Sequence, residues 1–384
     1  MMKSVPLGPT QLRGAFCTKG LKKMFEIGKI PPEILEAIVM NPIRKNRVRR
    51  EDVVLRPKTG EDCSAIDLAG ELCVLSTDPI TGAAKDIGYL AVQINCNDIF
   101  SSGAAPVGIL LTVLLPAGSC EADLEEIMEG ALRAARELDI EILGGHTEVT
   151  DAVCKPIVSA AVIGKSKKRK VVQTGGAEVG QDVIMTKWAG LEGTAIIAKE
   201  YEEILNRRLP AGIIHSAKEM KVFLSVGKEA SLAVEHGATA MHDATEGGVL
   251  GAVWEVAECS QTGVALWRDK IPLKEETRLI CKEADIDPLR LISSGTMIIT
   301  AWDGEELVDK LAAQGISAAV IGKITEKERI LVSAQGTEPL EEPKADALYQ
   351  VKFELGQKRK ADGYERFCCK NSGGITPFGD QKIF

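Results

Sequence analysis

The pentapeptide Ala161-Val162-Ile163-Gly164-Lys165 recurs as Ala319-Val320-Ile321-Gly322-Lys323, and a charged turn follows each copy. Self-similarity at this separation points to two related lobes, each ending on the same kind of apolar strand. The length agrees, because 384 residues are too many for one core and enough for two domains of roughly 100–200 residues each. A chain of that size needs neither disulfides nor a structural metal to stay folded. Its ten cysteines form no CxxC pair, which favours a reducing cytoplasm over secretion.

Local patterns divide the chain further. Residues 1–52 read as an N-terminal extension with a short helix from Pro31 to Met40 and a basic run, Arg44 to Arg50. Residues 53–165 read as a first α/β unit, with β-rich runs at 71–77, 107–115 and 157–163 and helical periodicity at 86–101 and 122–138. The basic, glycine-rich stretch 166–180 is the expected linker. A second unit, 181–335, opens with a strand at 182–187 and continues through helices near 194–206, 216–236 and 250–259 to strands at 296–300 and 318–321. Residues 336–384 read as a charged tail with no part in the core. The pattern is α/β (α+β) in two lobes.

Charge and hydropathy narrow the function. Forty-seven basic residues against 55 acidic ones leave a net charge of −8, which argues against bulk attraction to nucleic acid or an anionic membrane. The longest apolar run, Val107 to Leu115, stops at Pro116, well short of the roughly 20 residues of a membrane span. No signal-peptide core is expected at the N-terminus. An anionic substrate is therefore held locally, with a metal as the natural means.

Two aspartates are the most informative local feature. Asp62 and Asp78 flank two runs of strand character joined at Ala69-Gly70, and with Gly70 as pivot they lie equally far from it. Opposed like charges on paired strands destabilise unless neutralised, and Mg2+ with nucleotide phosphates is the common solution. The alternative is one aspartate capping a loop and the other facing solvent. Asp98 continues a helical stripe of Ile87, Leu90, Ala91 and Ile94, where a carboxylate near a helix C-terminus calls for a compensating cation or donor; a frayed end turned to water is the competing reading. Gly144-Gly145-His146-Thr147-Glu148 follows a short apolar segment, so a backbone there approaches a ligand closely and His146 or Glu148 projects toward it. A lone histidine is more often a satisfied structural residue than a ligand or base, which is the competing reading of His146. In His242-Asp243-Ala244-Thr245-Glu246-Gly247-Gly248, Thr245 is the expected N-cap, and the glycines offer free N–H groups to an anion; ordinary capping explains the same residues. No GxxxxGK[ST] occurs in the chain, which excludes a Walker-type nucleotide site.

In order along the chain, Gly60-Glu61-Asp62-Cys63-Ser64-Ala65, Ser76-Thr77-Asp78-Pro79, Asp86-Ile87-Gly88 with Asn97-Asp98, Gly103-Ala104-Ala105-Pro106, Gly144-Gly145-His146-Thr147 and the 242–248 segment together resemble the aminoimidazole ribonucleotide (AIR) synthetase superfamily. The resemblance runs from about Val53 to Val332 and is strongest to its hydrogenase maturation (HypE) branch. It implies an ATP-dependent enzyme with an AIR-synthase-like fold, in which the first lobe's sheet pairs with its twin across a homodimer. It implies Mg2+ ligands at Asp62, Asp78 and Asp98. Nucleotide contacts fall at Gly144, Gly145, Thr147, Asn97, Gly247 and Gly248, and catalytic roles at Asp243, Glu246, His146 and Glu148. The implied chemistry is activation of an amide or carbamoyl oxygen by ATP's γ-phosphate, followed by dehydration, with a carbamoyl-type acceptor and another maturation protein as partners.

Three departures qualify the resemblance. The maturation factor carries its acceptor cysteine at the C-terminus, whereas this sequence ends Gly379-Asp380-Gln381-Lys382-Ile383-Phe384, with Cys368 and Cys369 upstream. Glu148 and Glu246 stand where that branch has Lys and Arg. The Gly-Gly-His-Thr form is shared with the selenophosphate synthetase branch, to whose N-terminal motif Cys17 and Lys19 bear only a faint likeness. A small-molecule kinase of the thiamine-monophosphate kinase type and a non-catalytic nucleotide-binding scaffold remain the alternatives.

Overall fold

The computed structural model describes residues 30–45, 48–81, 85–166 and 170–353. Two short helices, α1 (Pro32–Leu35) and α2 (Asn41–Lys45), flank a π-helical turn and lead to β1 (Val53–Leu55), β2 (Ser64–Leu68) and β3 (Glu71–Ile80). There follow α3 (Ile87–Ser101), β4 (Ala105–Pro116), α4 (Glu121–Leu138), β5 (Glu141–Thr150) and β6 (Ile157–Ser166). These six strands form one sheet in the order β1-β2-β3-β6-β4-β5, antiparallel except for the β4/β5 pair.

The second lobe begins with β7 (Asp182–Thr186), α5 (Leu191–Glu200), α6 (Glu202–Leu205), α7 (Ala211–Glu219) and α8 (Gly227–Glu235). It continues with β8 (Ala240–Asp243), α9 (Gly248–Cys259), β9 (Gly263–Trp267), α10 (Glu275–Ala284), β10 (Met297–Ala301), α11 (Gly304–Ala313), β11 (Ala318–Thr325), β12 (Arg329–Ser333) and β13 (Gly336–Pro339). Its seven strands run β13-β12-β9-β11-β7-β10-β8, with only the β12/β9 pair parallel. The repeated pentapeptide lies in β6 and in β11, an interior strand of each sheet.

The β2–β3 hairpin turns on Ala69 and Gly70, both with positive φ, the backbone that matches the twist of the flanking strands. Its register pairs Leu68 with Glu71 and Ser64 with Leu75. The pivot therefore lies between residues 69 and 70 rather than on Gly70. Asp62 precedes β2, so the two aspartates are not an opposed cross-strand pair.

Helix α3 departs from the one-stripe expectation. Every residue from Ile87 to Ser101 except Phe100 is buried, because the helix packs on β3 and β6, is covered by α4, and meets α8 and β8 of the second lobe. A helix buried on all sides needs no polar face, and the polar residues it does carry, Asn95, Asn97 and Asp98, are placed for specific partners. The expected helix at 194–206 breaks at Tyr201. The one at 216–236 breaks where the backbone of 224–226 is tied to Asn97, Leu224 carbonyl accepting from Nδ2 at 2.8 Å and Val226 N–H donating to Oδ1 at 3.1 Å.

The stretch after Ser333 does belong to the core, contrary to expectation: Leu340, Ala347 and Phe353 are buried against the second lobe. Within the expected linker, Val172 and Ala177 are buried and Val172 N–H donates to Ser102 O at 2.8 Å.

Candidate active site

A cleft of about 410 Å³ opens between the lobes, lined by Asp62, Asp78 and Asp98 from the first and by Glu192, Thr245, Glu246, Ser294, Asp346 and Tyr349 from the second. That volume suits a small-molecule ligand. Asp62 and Asp78 are exposed to it, whereas Asp98 and Asp243 are buried beside it.

Each acid is held by its own element. Asp78 lies near the end of β3, where its N–H donates to Asn95 Oδ1 at 2.8 Å, and Asn95 Nδ2 in turn donates to Ala91 O at 2.9 Å. Asp98 sits one turn further along α3. Ser76 Oγ donates to its Oδ2 at 2.5 Å, and Cys63 Sγ donates to its backbone carbonyl at 3.2 Å. Asp62 enters from the loop before β2. That loop is pinned to the second lobe through Cys259 Sγ, which donates to Thr59 O at 3.2 Å.

Asp243 ends β8, fully buried, and among the described residues neither of its carboxylate oxygens has a hydrogen-bond partner. Burial, with the nearby charge of Asp62, pushes its carboxyl up to about 7. Burial, and then Asp243, Asp62 and Asp78, push Asp98 well above the usual carboxylate range. Like charges crowded in a low dielectric are costly unless a cation joins them. A buried carboxylate with no donor and three acidic neighbours therefore fits a divalent cation that takes oxygen ligands, such as Mg2+.

The 242–248 segment differs in detail from its expected form. Thr245 is not the N-cap of α9; Gly247 is, at φ +89°, and Thr245 contributes only its carbonyl to Gly248 N–H at 3.0 Å. The Gly247 N–H is already taken: Asp346 Oδ2 accepts from it at 2.7 Å, while Asp346 Oδ1 accepts from Ile292 and Leu348 at 3.2 and 2.8 Å. A carboxylate of the chain itself occupies the place foreseen for an external anion. Glu246 faces the cleft and accepts from Tyr349 Oη at 2.9 Å.

Gly144, Gly145, His146, Thr147 and Glu148 do not join this cluster within one chain. The glycines fall inside β5 rather than after a strand, and β5 is the far edge of the first sheet, with β6 and β4 between it and β3. Gly145 has φ +147°, and a Cβ there would meet Leu111 O at 1.7 Å, so glycine is required by the neighbouring strand itself. His146 Nε2 lies 3.1 Å from Glu148 Oε2 on the exposed face. Asn97, expected at the nucleotide, spends its amide on the 224–226 loop and ties the lobes together. Cys17, Lys19, Cys368 and Cys369 lie outside the described residues.

Sequence reasoning missed Glu192, Asp346, Tyr349 and Ser76. Ser76 stood inside a quoted motif, and its place two residues before Asp78 on the same strand was the available signal. Glu192 is buried in the first turn of α5, and burial raises it to about 7. Its place in the glycine-rich turn Gly190-Leu191-Glu192-Gly193, just after the strand at 182–187, was the available signal.

Residues 60–166 match the AIR synthase related protein N-terminal domain, and residues 178–334 match the corresponding C-terminal domain. The chain is 26% identical over 335 residues to a putative hydrogenase expression/formation protein of Methanocaldococcus jannaschii, covering 84% of this chain and 97% of that one. It is 28% identical over 290 residues to the carbamoyl dehydratase HypE of Rhizobium leguminosarum, covering 72% and 80%. Two solved structures share the fold: a HypE-HypF complex at TM-score 0.65 and 21% identity, covering 80% of this chain and 100% of that one, and a HypE in complex with ATP at 0.61 and 21%, covering 84% and 97%. With both domains matched in order across its two lobes, the chain belongs to the AIR synthase related family and has the two-domain α/β fold of HypE.

Proposed function

We propose that this protein is a Mg-ATP-dependent enzyme that activates the oxygen of a carbamoyl or amide group and drives its dehydration, a reading supported by relatives named carbamoyl dehydratase. One observation carries the reading: Asp243, buried and without a hydrogen-bond partner, faces Asp62, Asp78 and Asp98 across the lobe boundary. An ATP-dependent enzyme of this family is also what the HypE relatives and the ATP-bound HypE structure support.

In this reading the four aspartates hold the cation, which when bound neutralises phosphate charge and orients the nucleotide. Ser76 and Asn95 fix Asp98 and the Asp78 backbone, so the ligands are set before substrate arrives. Glu246 and Tyr349 line the cleft, and in this reading they face the acceptor. The acceptor is a carbamoyl-type group presented by a small molecule or by a maturation partner, a role for which a HypE-HypF complex is the precedent.

A homodimer completes the proposal. Leu143 and Val149 of β5 and Leu110 of β4 are 48, 61 and 41% exposed. An exposed ten-residue edge strand of this kind invites pairing with a second copy. Such pairing supports a route by which Gly144 to Glu148 of one protomer reach the nucleotide of its partner.

The test is product analysis after incubation with Mg-ATP and carbamoyl phosphate or an amide donor. Free phosphate with a dehydrated product is expected. A phosphorylated acceptor instead makes the protein a kinase, and absence of any ATP turnover makes it a nucleotide-binding scaffold.

A further inference from the structure

The proposed function gives no work to His242, the residue before Asp243 on β8. Its ring is 2% exposed. Nε2 lies 3.0 Å from Glu255 Oε2, one face along α9. On the other side, Nδ1 lies 3.0 Å from Asp62 Oδ2, yet in a direction that makes no aligned hydrogen bond. Among the described residues, one ligand atom each from Asp62, His242 and Asp243 come within 4.8 Å of one another. The Asp243 carboxylate, buried and without a hydrogen-bond partner among the described residues, thus shares one small space with His242 Nδ1 and the Asp62 carboxylate.

We propose that His242 Nδ1 is a metal ligand, and that with Asp62 and Asp243 it forms a mixed nitrogen and oxygen site for a first-row transition dication of the Mn2+ class. Glu255 is the positioning residue. By accepting the Nε2 proton it fixes the tautomer whose Nδ1 lone pair faces the two carboxylates, the arrangement that carboxylate-histidine-metal sites use. The spacing is right for such a cation: bonds of about 2.1 Å at right angles place neighbouring ligand atoms about 3.0 Å apart, the separation between Nδ1 and Asp62 Oδ2. An imidazole also changes which ion is preferred. Mg2+ takes oxygen and gains little from nitrogen, whereas first-row transition ions bind imidazole readily and Mn2+ retains a taste for carboxylate. The competing arrangement is a protonated imidazole bridging Asp62 and Glu255 as a plain ion pair, with no metal attached to nitrogen.

The inference rests on the reading of these acids as cation ligands, and one experiment separates the two. Free Mn2+ is followed by electron paramagnetic resonance during titration of nucleotide-free full-length protein, alone and in competition with Mg2+. One Mn2+ per chain is expected, held in clear preference to Mg2+. His242→Gln lowers Mn2+ affinity at least tenfold and brings the two ions closer together in affinity. Glu255→Gln does the same by about tenfold or more through loss of orientation, and supplies the answer if His242→Gln fails to fold. If Mn2+ and Mg2+ bind with equal affinity and neither substitution moves their ratio, the nitrogen ligand is refuted while the magnesium site stands. If neither ion binds, with or without ATP, the proposed function falls as well.

Discussion

Replacing Asp243 by asparagine is expected to stabilise the metal-free protein, and the effect is expected to grow with pH. The folded state holds the Asp243 proton up to about pH 7, whereas an unfolded chain releases it near 4. An acid raised in this way contributes stability that is present below its unfolded value and is lost as pH rises toward the folded one. Each tenfold change in proton affinity is about 1.4 kcal/mol, so carrying this charge at pH 8 costs the fold about 3–4 kcal/mol. Asparagine has nearly the shape of the protonated acid and is equally without partners, so the two proteins match near pH 4. The variant then gains about 3–4 kcal/mol by pH 8. Glu61 and Glu192, also raised by burial to about 7, titrate alike in both proteins and drop out of the difference, whereas Asp98, which the Asp243 charge also pushes up, is relieved in the variant and adds to the gain. Thermal and urea denaturation from pH 4 to 8, without divalent ions, reads the gap directly. A variant no more stable than the parent at pH 8 refutes the claim that this carboxylate is held against its own charge.

Three further substitutions test the framework around the cleft. Gly248→Ala forces φ +63° on a residue with a Cβ, which would also lie 2.6 Å from Leu289 O; a loss of about 2–3 kcal/mol is expected in urea denaturation. Asn97→Ala leaves the Leu224 carbonyl and the Val226 N–H without their donor and acceptor. It should cost about 2–4 kcal/mol and speed proteolysis of the 224–226 loop before global unfolding. Lys187→Met strips the buried Glu229 of its partner at 2.5 Å and removes bonds to Ser225 O and Gly295 O, both 2.7 Å. A loss of about 3–5 kcal/mol is expected by thermal denaturation.

The elements themselves were largely legible, because alternation marks strands such as β3 and apolar spacing marks helices such as α4. What escaped was set by tertiary partners. A helix buried on every side looks in sequence like one with a single apolar stripe, so α3 gave no sign that Asn97 would bind across the lobes. The break before Gly227 follows from docking against Asn97 rather than from propensity. At the site, the acids Asp62, Asp78 and Asp98 were recoverable from motif order, and they do line one cleft. Asp346 was lost with the stretch judged to be a tail. A short-range Asp-x-Thr pattern suggested capping by Thr245, and a long-range carboxylate took the α9 N-terminus instead. The residues of β5 could be placed on a strand only once its pairing with β4 was known.

Convergence of the aspartates on one nucleotide-bearing cation is tested most directly by calorimetric titration with ATP. The parent protein should bind ATP with Mg2+ present and lose most of that affinity when the ion is chelated, and Asp78→Asn should behave like the chelated parent. ATP binding of equal strength with the ion removed and in Asp78→Asn would contradict the account.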